Sequence, residues 1–444
     1  MKLWSKANTS TSKLVEQFTV GRDKEFDLLL APFDVLGSIA HTKMLATVGL
    51  LSESDGKALV SELQFIYQKT IAPDFVIPDG VEDIHSFIEF LLTEKLGDAG
   101  KKIHSARSRN DQVLVDIKLF LRSEIKLLAE NTNQLFNLLQ TQSEKYKSYL
   151  LPGYTHLQLA MPSSFGLWFG AYAESLVDDM IMLEAAYRVV NKNPLGSAAG
   201  YGSSFPINRT LTTTLLGFDE LNYNVIYAQM GRGKTERIVA TSIANIADTL
   251  SRLSMDICLY INQNFGFVTF PVEFTTGSSI MPHKKNPDVF ELVRSYCNRL
   301  KALPNEIALM TTNLPSGYQR DLQLLKEHIF PAFTELNNCI TLVHLMLTNI
   351  EIMEAIVSDE KYKYIFSVEE VNKLVLRGVP FRDAYQQIGD AIDKGNFTYS
   401  VSINHTHEGS IGNLSNDKIA SMMNQIIIKF EFSKPAKAIE ALLQ

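Results

Sequence analysis

The longest unbroken periodic stretch of the chain runs from Val113 to about Tyr146, with neither proline nor glycine inside it. Apolar residues recur three and four positions apart: Val113, Ile117, Phe120, Leu121, Ile125, Leu128, Leu135, Leu138 and Leu139. This spacing lines one face of an α-helix. The helix it predicts is about three times the average length. A helix that long with an apolar stripe needs partners of similar length to cover the stripe. The sequence supplies them. Similar patterns run from about Pro162 to Val190, Lys234 to Asn264 and Asn286 to near Pro304. A last one starts at Asp321 or beyond and ends near Ile350, with Pro331 as a kink or first-turn residue. Alternating β-branched runs are few, which argues against a central sheet. The expected fold is all-α. One elongated long-helix bundle domain occupies 105–357, between the shorter, mixed helical patterns of an N-terminal part at 1–104 and a small C-terminal part at 358–444.

Smaller signals fill in the outer regions. Leu36–Leu45 reads as helical despite Gly37, and Ser52 followed by Asp55 reads as a capped helix start. Gly389, Gly395, Gly409 and Gly412 among polar neighbours suggest a flexible stretch. With 444 residues the chain can bury a large core and form more than one domain. A net charge of −7 without a basic stripe argues against nucleic acid as a partner. Cys258, Cys297 and Cys339 are too scattered for a disulfide framework or a metal-ligand pair. No metal and no cofactor are expected. Met1–Ser5 leads into polar sequence rather than a signal peptide, and no apolar run reaches membrane-spanning length, so a cytoplasmic location away from membranes is expected.

The chemistry is concentrated where the periodicity breaks. Gly277-Ser278-Ser279-Ile280-Met281-Pro282-His283-Lys284-Lys285-Asn286-Pro287-Asp288 brings hydroxyls, an imidazole, ammonium groups and an amide to a helix start, with Pro287 expected in the first turn. Such a place suits a carboxylate. A charged surface loop would have the same composition. Arg107-Ser108-Arg109-Asn110-Asp111-Gln112 precedes the longest helix, and Tyr154-Thr155-His156-Leu157-Gln158 follows it. Gly80-Val81-Glu82-Asp83-Ile84-His85 clusters acids and an imidazole, or simply forms an acidic first helical turn. Asn193–Ser204 is rich in small residues that permit close backbone approach.

The Gly277–Asp288 run resembles the signature loop of the fumarase/aspartase superfamily, whose members eliminate an amine or water from a succinyl group and release fumarate. Together with Arg107–Gln112, Tyr154–Gln158 and Gly378-Val379-Pro380-Phe381-Arg382, the chain resembles the argininosuccinate lyase family over nearly its whole length. That resemblance implies three mainly helical domains, whose central helices form a bundle of twenty in a homotetramer, with each active site assembled from three subunits. It implies cleavage of argininosuccinate to arginine and fumarate. Ser278 is then the general base, and Lys284 stabilises the charge that develops on the carboxylate. His156 stands on the acid side, oriented by Glu291. Asn286 binds a substrate carboxylate, Arg109 and Asn110 grip the succinyl or the amino-acid end, and Tyr318, Gln323 and Lys326 hold the arginine portion. Asp83 and Thr155 complete the pocket. Asp321 and Glu327 read equally as solvated surface, and Arg107 as structural.

Departures from the family pattern bear on the substrate. Met230-Gly231-Arg232-Gly233-Lys234 stands where the family carries a serine-aspartate-arginine-aspartate run, so Arg232 is expected without its usual partners. Thr19–Glu25 differs as well, and His104-Ser105-Ala106 replaces histidine-threonine-glycine. The rivals are another fumarate-releasing lyase, acting on a modified argininosuccinate, adenylosuccinate, aspartate or malate, and a helical scaffold without activity.

Overall fold

The computed structural model describes residues 12–78 and 80–444. The reading of Met1–Ser5 lies outside the described residues. Helix α1 (Lys13–Val20) leads through Gly21 into α2 (Asp23–Thr47). Helix α3 (Glu53–Thr70) starts as expected, with Ser52 Oγ accepting the Asp55 N–H at 3.1 Å. Helix α4 (Ile84–Leu96) is capped by Asp83, and the short α5 (Asp98–Lys101) leads into the long helices. Helices α2, α3 and α4 bury Val35, Ile39, Leu59, Leu63 and Ile88 against one another. By length and composition α2 could cross a membrane, which the sequence reading did not anticipate. Its Leu30, Val35 and Ile39 are instead fully buried in the protein's own core.

The longest helix, α6 (Arg109–Lys145), covers 37 residues and ends beside Tyr146. The hairpin β1 (Leu150–Thr155) and β2 (Gln158–Ser164) turns the chain back into α7 (Phe165–Val190). Strands β3 (Lys192–Asn193) and β4 (Glu220–Leu221) pair in parallel around α8 (Arg209–Leu215). After α9 (Val225–Met230), α10 (Lys234–Tyr260) runs the length of the bundle. Strand β5 (Val268–Thr269) pairs with the later β8 (Glu351–Ile352), and β6 (Thr276–Gly277) pairs with β7 (Lys285–Asn286). Helix α11 (Asp288–Leu300) begins two residues later than expected, with Pro287 before its first turn rather than in it. Pro304 falls in the first turn of α12 (Leu303–Met310), so it opens a helix just where the previous one ends. Helix α13 (Leu325–Thr348) completes the bundle and carries Pro331 inside it. Phe120, Leu135, Phe169, Leu176, Ile243, Leu250, Phe290, Phe333 and Ile340 interleave in one core. The chain is all-α, its described strands forming only two-stranded pairs.

Helices α14 (Ser367–Leu376), α15 (Phe381–Asp393), α16 (Asn416–Lys429) and α17 (Ser433–Leu443) close the chain. Leu442 of α17 packs into the core shared by α2 and α3. The glycine-rich stretch is tied down. His405 Nε2 lies 2.9 Å from Glu369, and the Ser400 N–H donates to Glu370 at 2.9 Å. A Cβ on Gly412 would lie 2.0 Å from the His405 carbonyl oxygen, so that glycine serves close packing.

Candidate active site

The N-terminus of α6 is built as a docking point. Ser108 caps it, and Asp111 returns a bond to the Ser108 N–H at 2.9 Å, forming a capping box. The second Asp111 oxygen accepts the Gly196 and Ala198 N–H groups at 2.9 Å. The small-residue run 193–204 thereby approaches α6 closely. Burial nevertheless raises the Asp111 carboxyl to about 6. Arg109 and Asn110 follow the cap and face an open cleft of about 210 Å³. The starts of α2 and α4 and the segment 318–326 supply its other walls.

The cleft is lined with charges that already have partners. Arg109 lies 3.1 Å from Asp83 and 3.5 Å from Glu82, and it donates to Ser86 Oγ. Asp83 also caps α4, accepting the Ser86 N–H at 2.7 Å. Burial opposes ionisation of Asp83, but His85 and Arg109 hold its carboxyl below the usual range. Lys326 is buried and sits 2.5 Å from Asp23 and 2.8 Å from Asp27. Burial disfavours its charge, yet these carboxylates hold its ammonium above the ordinary value. Gln323 and Arg320 both donate to the Thr19 carbonyl, at 3.0 and 2.9 Å. This pins the end of α1 across the cleft. Tyr318 lines the same wall.

Arg232 lacks the flanking acids of the family pattern but has another partner. It is buried, with Nε 2.8 Å from Glu236 and Nη2 donating to the Leu322 carbonyl at 2.6 Å. Glu236 also accepts the Gly233 N–H at 2.7 Å. One acid a helical turn downstream thus does the work of a missing neighbour. Gly233 has φ 76°, and a Cβ there would lie 2.5 Å from Thr311 Cγ2, so the glycine is needed for the close approach. Arg107 points away from the cleft and donates to Ser38 at 2.9 Å, a structural role.

The other expected residues lie outside the cleft lining. Thr155 pairs with Gln158 at the tip of the β1–β2 hairpin. His156 and Leu157 make its turn at φ 53° and 59°, a left-handed pair without glycine. Both are exposed, Leu157 by 81%. Ser278 opens the loop between β6 and β7. Its Oγ accepts the Met281 N–H at 3.1 Å and the Ile280 N–H at 3.3 Å. Two amide donors favour negative charge on that oxygen. Asn286 donates weakly to Thr276 Oγ1 at 3.5 Å, and the Thr276 hydroxyl donates to Asp288. Lys284 is exposed, and among the described residues it makes no ion pair. Glu291 sits exposed in the first turn of α11 and makes no bond to His156 within the chain.

Sequence reasoning passed over one buried group. Asp34, His85 and Asp116 place their oxygens and ring nitrogen within 4.8 Å of one another behind the cleft wall. Among the described residues they are the one cluster close enough to hold an ion. His85 Nδ1 lies 2.8 Å from Asp34 Oδ1, within hydrogen-bond range.

The helical bundle and the Gly277–Asp288 loop define a lyase of the fumarase/aspartase type. The lyase family model matches residues 5–301. Argininosuccinate lyase of Bacteroides thetaiotaomicron is 59% identical over 442 residues, covering 100% of this chain and 99% of that relative. The Thermotoga neapolitana argininosuccinate lyase is 37% identical over 88% of this chain and 98% of its own. The chain belongs to the argininosuccinate lyase family. Among solved structures, EDDS lyase in complex with formate superposes with a TM-score of 0.76 at 20% identity, over 98% of this chain and 95% of that one. A fumarate lyase:delta crystallin from Brucella melitensis bound to cobalt gives 0.70 at 16% identity, over 91% of each chain. These two share the fold.

Proposed function

We propose that the protein is a carbon–nitrogen lyase that reversibly converts argininosuccinate to arginine and fumarate, the last step of making arginine. Full-length identity of 59% to an argininosuccinate lyase carries this reading. The reaction takes a weakly acidic proton from the carbon beside a carboxylate and expels a guanidinium nitrogen from the adjacent carbon. The charge moves onto the carboxylate, so the site must place cations and donors there. Ser278 is the base. A serine hydroxyl is too weakly acidic to act unaided. The two amides on its Oγ and Lys284 of the same loop stabilise the deprotonated oxygen. Lys284 and Asn286 hold the carboxylate as it gains charge. His156, oriented by Glu291, serves the leaving nitrogen, and Thr155 beside it contacts substrate. Arg109, Asn110 and Asp83 grip one end of the substrate, and Tyr318, Gln323 and Lys326 the other.

These residues form three separated groups on one chain: the cleft, the hairpin tip and the serine loop. We infer that three chains of a homotetramer bring them together. The long helices support this, since Leu127, Ile181, Met255, Leu342 and Leu345 all turn apolar surface outward. A cytoplasmic location and independence from metal belong to the same proposal. The test is ultraviolet absorbance of fumarate on incubation with argininosuccinate, adenylosuccinate, aspartate and malate in parallel. Release from argininosuccinate alone, unaffected by chelator, is expected. Release only from another substrate, or none, would sink the assignment.

A further inference from the structure

Behind the cleft wall, two carboxyl groups face each other without a donor between them. Asp34 and Asp116 are both fully buried, on α2 and α6. Asp34 Oδ1 is engaged by His85 Nδ1 at 2.8 Å and by Gln112 Nε2 at 2.7 Å. Among the described residues, Asp34 Oδ2 and both oxygens of Asp116 have no hydrogen-bond partner. Asp116 Oδ2 lies only 3.6 Å from the same ring nitrogen. Two ionised carboxylates at such range and burial repel strongly, and a single proton between them removes the repulsion. His85 is buried too, yet it lines the cleft. Its Nδ1 is engaged, so Nε2 is the nitrogen a ligand can reach.

We propose that Asp34 and Asp116 share one proton and together act as positioning residues for His85, holding its Nε2–H toward the cleft as a donor to a substrate carboxylate. This rests on the functional reading above. Burial disfavours charge on His85, but Asp34, then Asp83 and Asp27, outweigh it and raise the imidazole above its ordinary value. Burial, then repulsion by Asp34, pushes Asp116 well up, so Asp116 carries the shared proton. Burial also works against Asp34, but the attraction of His85 keeps its carboxyl low and ionised. Arg107, beside both acids, and Arg109, which neutralises Asp83, are the cations facing this group. A charged ring anchored from behind is oriented without using the nitrogen that meets the ligand.

The test is the pH dependence of kcat/KM for fumarate release by the assembled enzyme. Asp34→Asn removes the counter-charge, so the alkaline limb should move down by about one pH unit or more, a loss of about fivefold or greater at the original midpoint. Asp116→Asn presents a neutral donor in the same place and should move the limb by less than about a third of a unit. Equal shifts in the two variants would make Asp116 an anion and overturn the shared proton. An unmoved limb in Asp34→Asn would overturn the positioning role, as would loss of activity on chelation with recovery on added zinc or manganese. Should Asp34→Asn melt below the assay temperature, inhibition of the unaltered enzyme by fumarate decides. Its inhibition constant should rise about tenfold per pH unit above the limb and lose that dependence in His85→Gln. A flat inhibition constant in the unaltered enzyme overturns the proposal. Absence of any fumarate from the unaltered enzyme refutes the functional reading itself, a result separate from all of these.

Discussion

The cleft and the serine loop are built on opposite plans. In the cleft, Lys326 is buried between two carboxylates, Arg109 lies between Glu82 and Asp83, and Arg232 is locked to Glu236. Each cation there is oriented by its own chain before any ligand arrives. The loop from Ser278 to Lys284 is mostly exposed, and its side chains make few bonds. The His156 turn shares this character, with two left-handed residues held out on a hairpin. Preorganisation in the cleft comes from helix termini and buried pairs, whereas the loop depends on whatever packs against it. Under the proposed sharing between subunits, the protruding half of one chain would complete the finished half of another.

The sharpest way to break that comparison is Ser278→Ala. Loss of the base should lower kcat by about a thousandfold or more. Since Ser278 makes only local loop bonds, oligomer size by light scattering and melting temperature should hold. A variant retaining most of its kcat would remove the serine from the base role. The next effect concerns the assembly. Ser278→Ala and His156→Asn proteins, each inactive, should regain activity when their subunits exchange in equal amounts. If serine and histidine of one site come from different chains, about a quarter of sites receive both intact residues. No recovery despite exchange shown by mass spectrometry would mean each chain carries its own complete site.

Legibility follows the same division. The long helix Arg109–Lys145 was visible because its apolar residues repeat within one segment. The Ser52 cap was visible because its partner is three residues away. The roles of Ser278, Lys284 and His156 came from resemblance, since an exposed polar loop has no periodicity to read. The Asp34–His85–Asp116 group escaped notice because its members come from three helices, 51 and 31 residues from His85 along the chain. The Arg232–Glu236 pair sits at helical i, i+4 spacing and was readable in principle. Attention to the absent neighbouring acids hid it. The strained turn at His156 and Leu157 gave no glycine to announce it.

A smaller effect separates the two halves by stability rather than rate. Lys326→Met leaves Asp27 and Asp23 facing each other with no cation between them. Removing one member of a buried pair costs about 3 kcal/mol or more. Lys284→Met, on the exposed loop, should cost less than about 0.5 kcal/mol while still impairing turnover. Chemical denaturation of both variants measures the difference. Equal losses would show that the loop is as firmly built as the cleft.

The smallest expected effect is pH-dependent and belongs to the cleft half alone. His41 is buried in α2, and its Nε2 bonds the Ser105 carbonyl at 2.9 Å, just before the α6 cap. Its Nδ1 has no hydrogen-bond partner among the described residues, so a proton placed there would be unsatisfied. Burial, followed by repulsion from Arg107, lowers this imidazole to about 3. The unfolded chain takes up the proton near pH 6.5, while the folded chain refuses it until near pH 3. A depressed value of this kind gives stability that is complete above pH 6.5 and drains away as the pH falls toward 3. Between pH 6.5 and 4.5 the loss from this ring alone is about 2 kcal/mol. Glutamine retains an amide donor for Ser105 and takes up no proton. His41→Gln should therefore unfold in urea with a shallower dependence on pH than the unaltered protein, by about that amount over the same interval. Parallel pH profiles would show that His41 is solvated enough to titrate in place, and that the wall behind the cleft is as open as the loop in front of it.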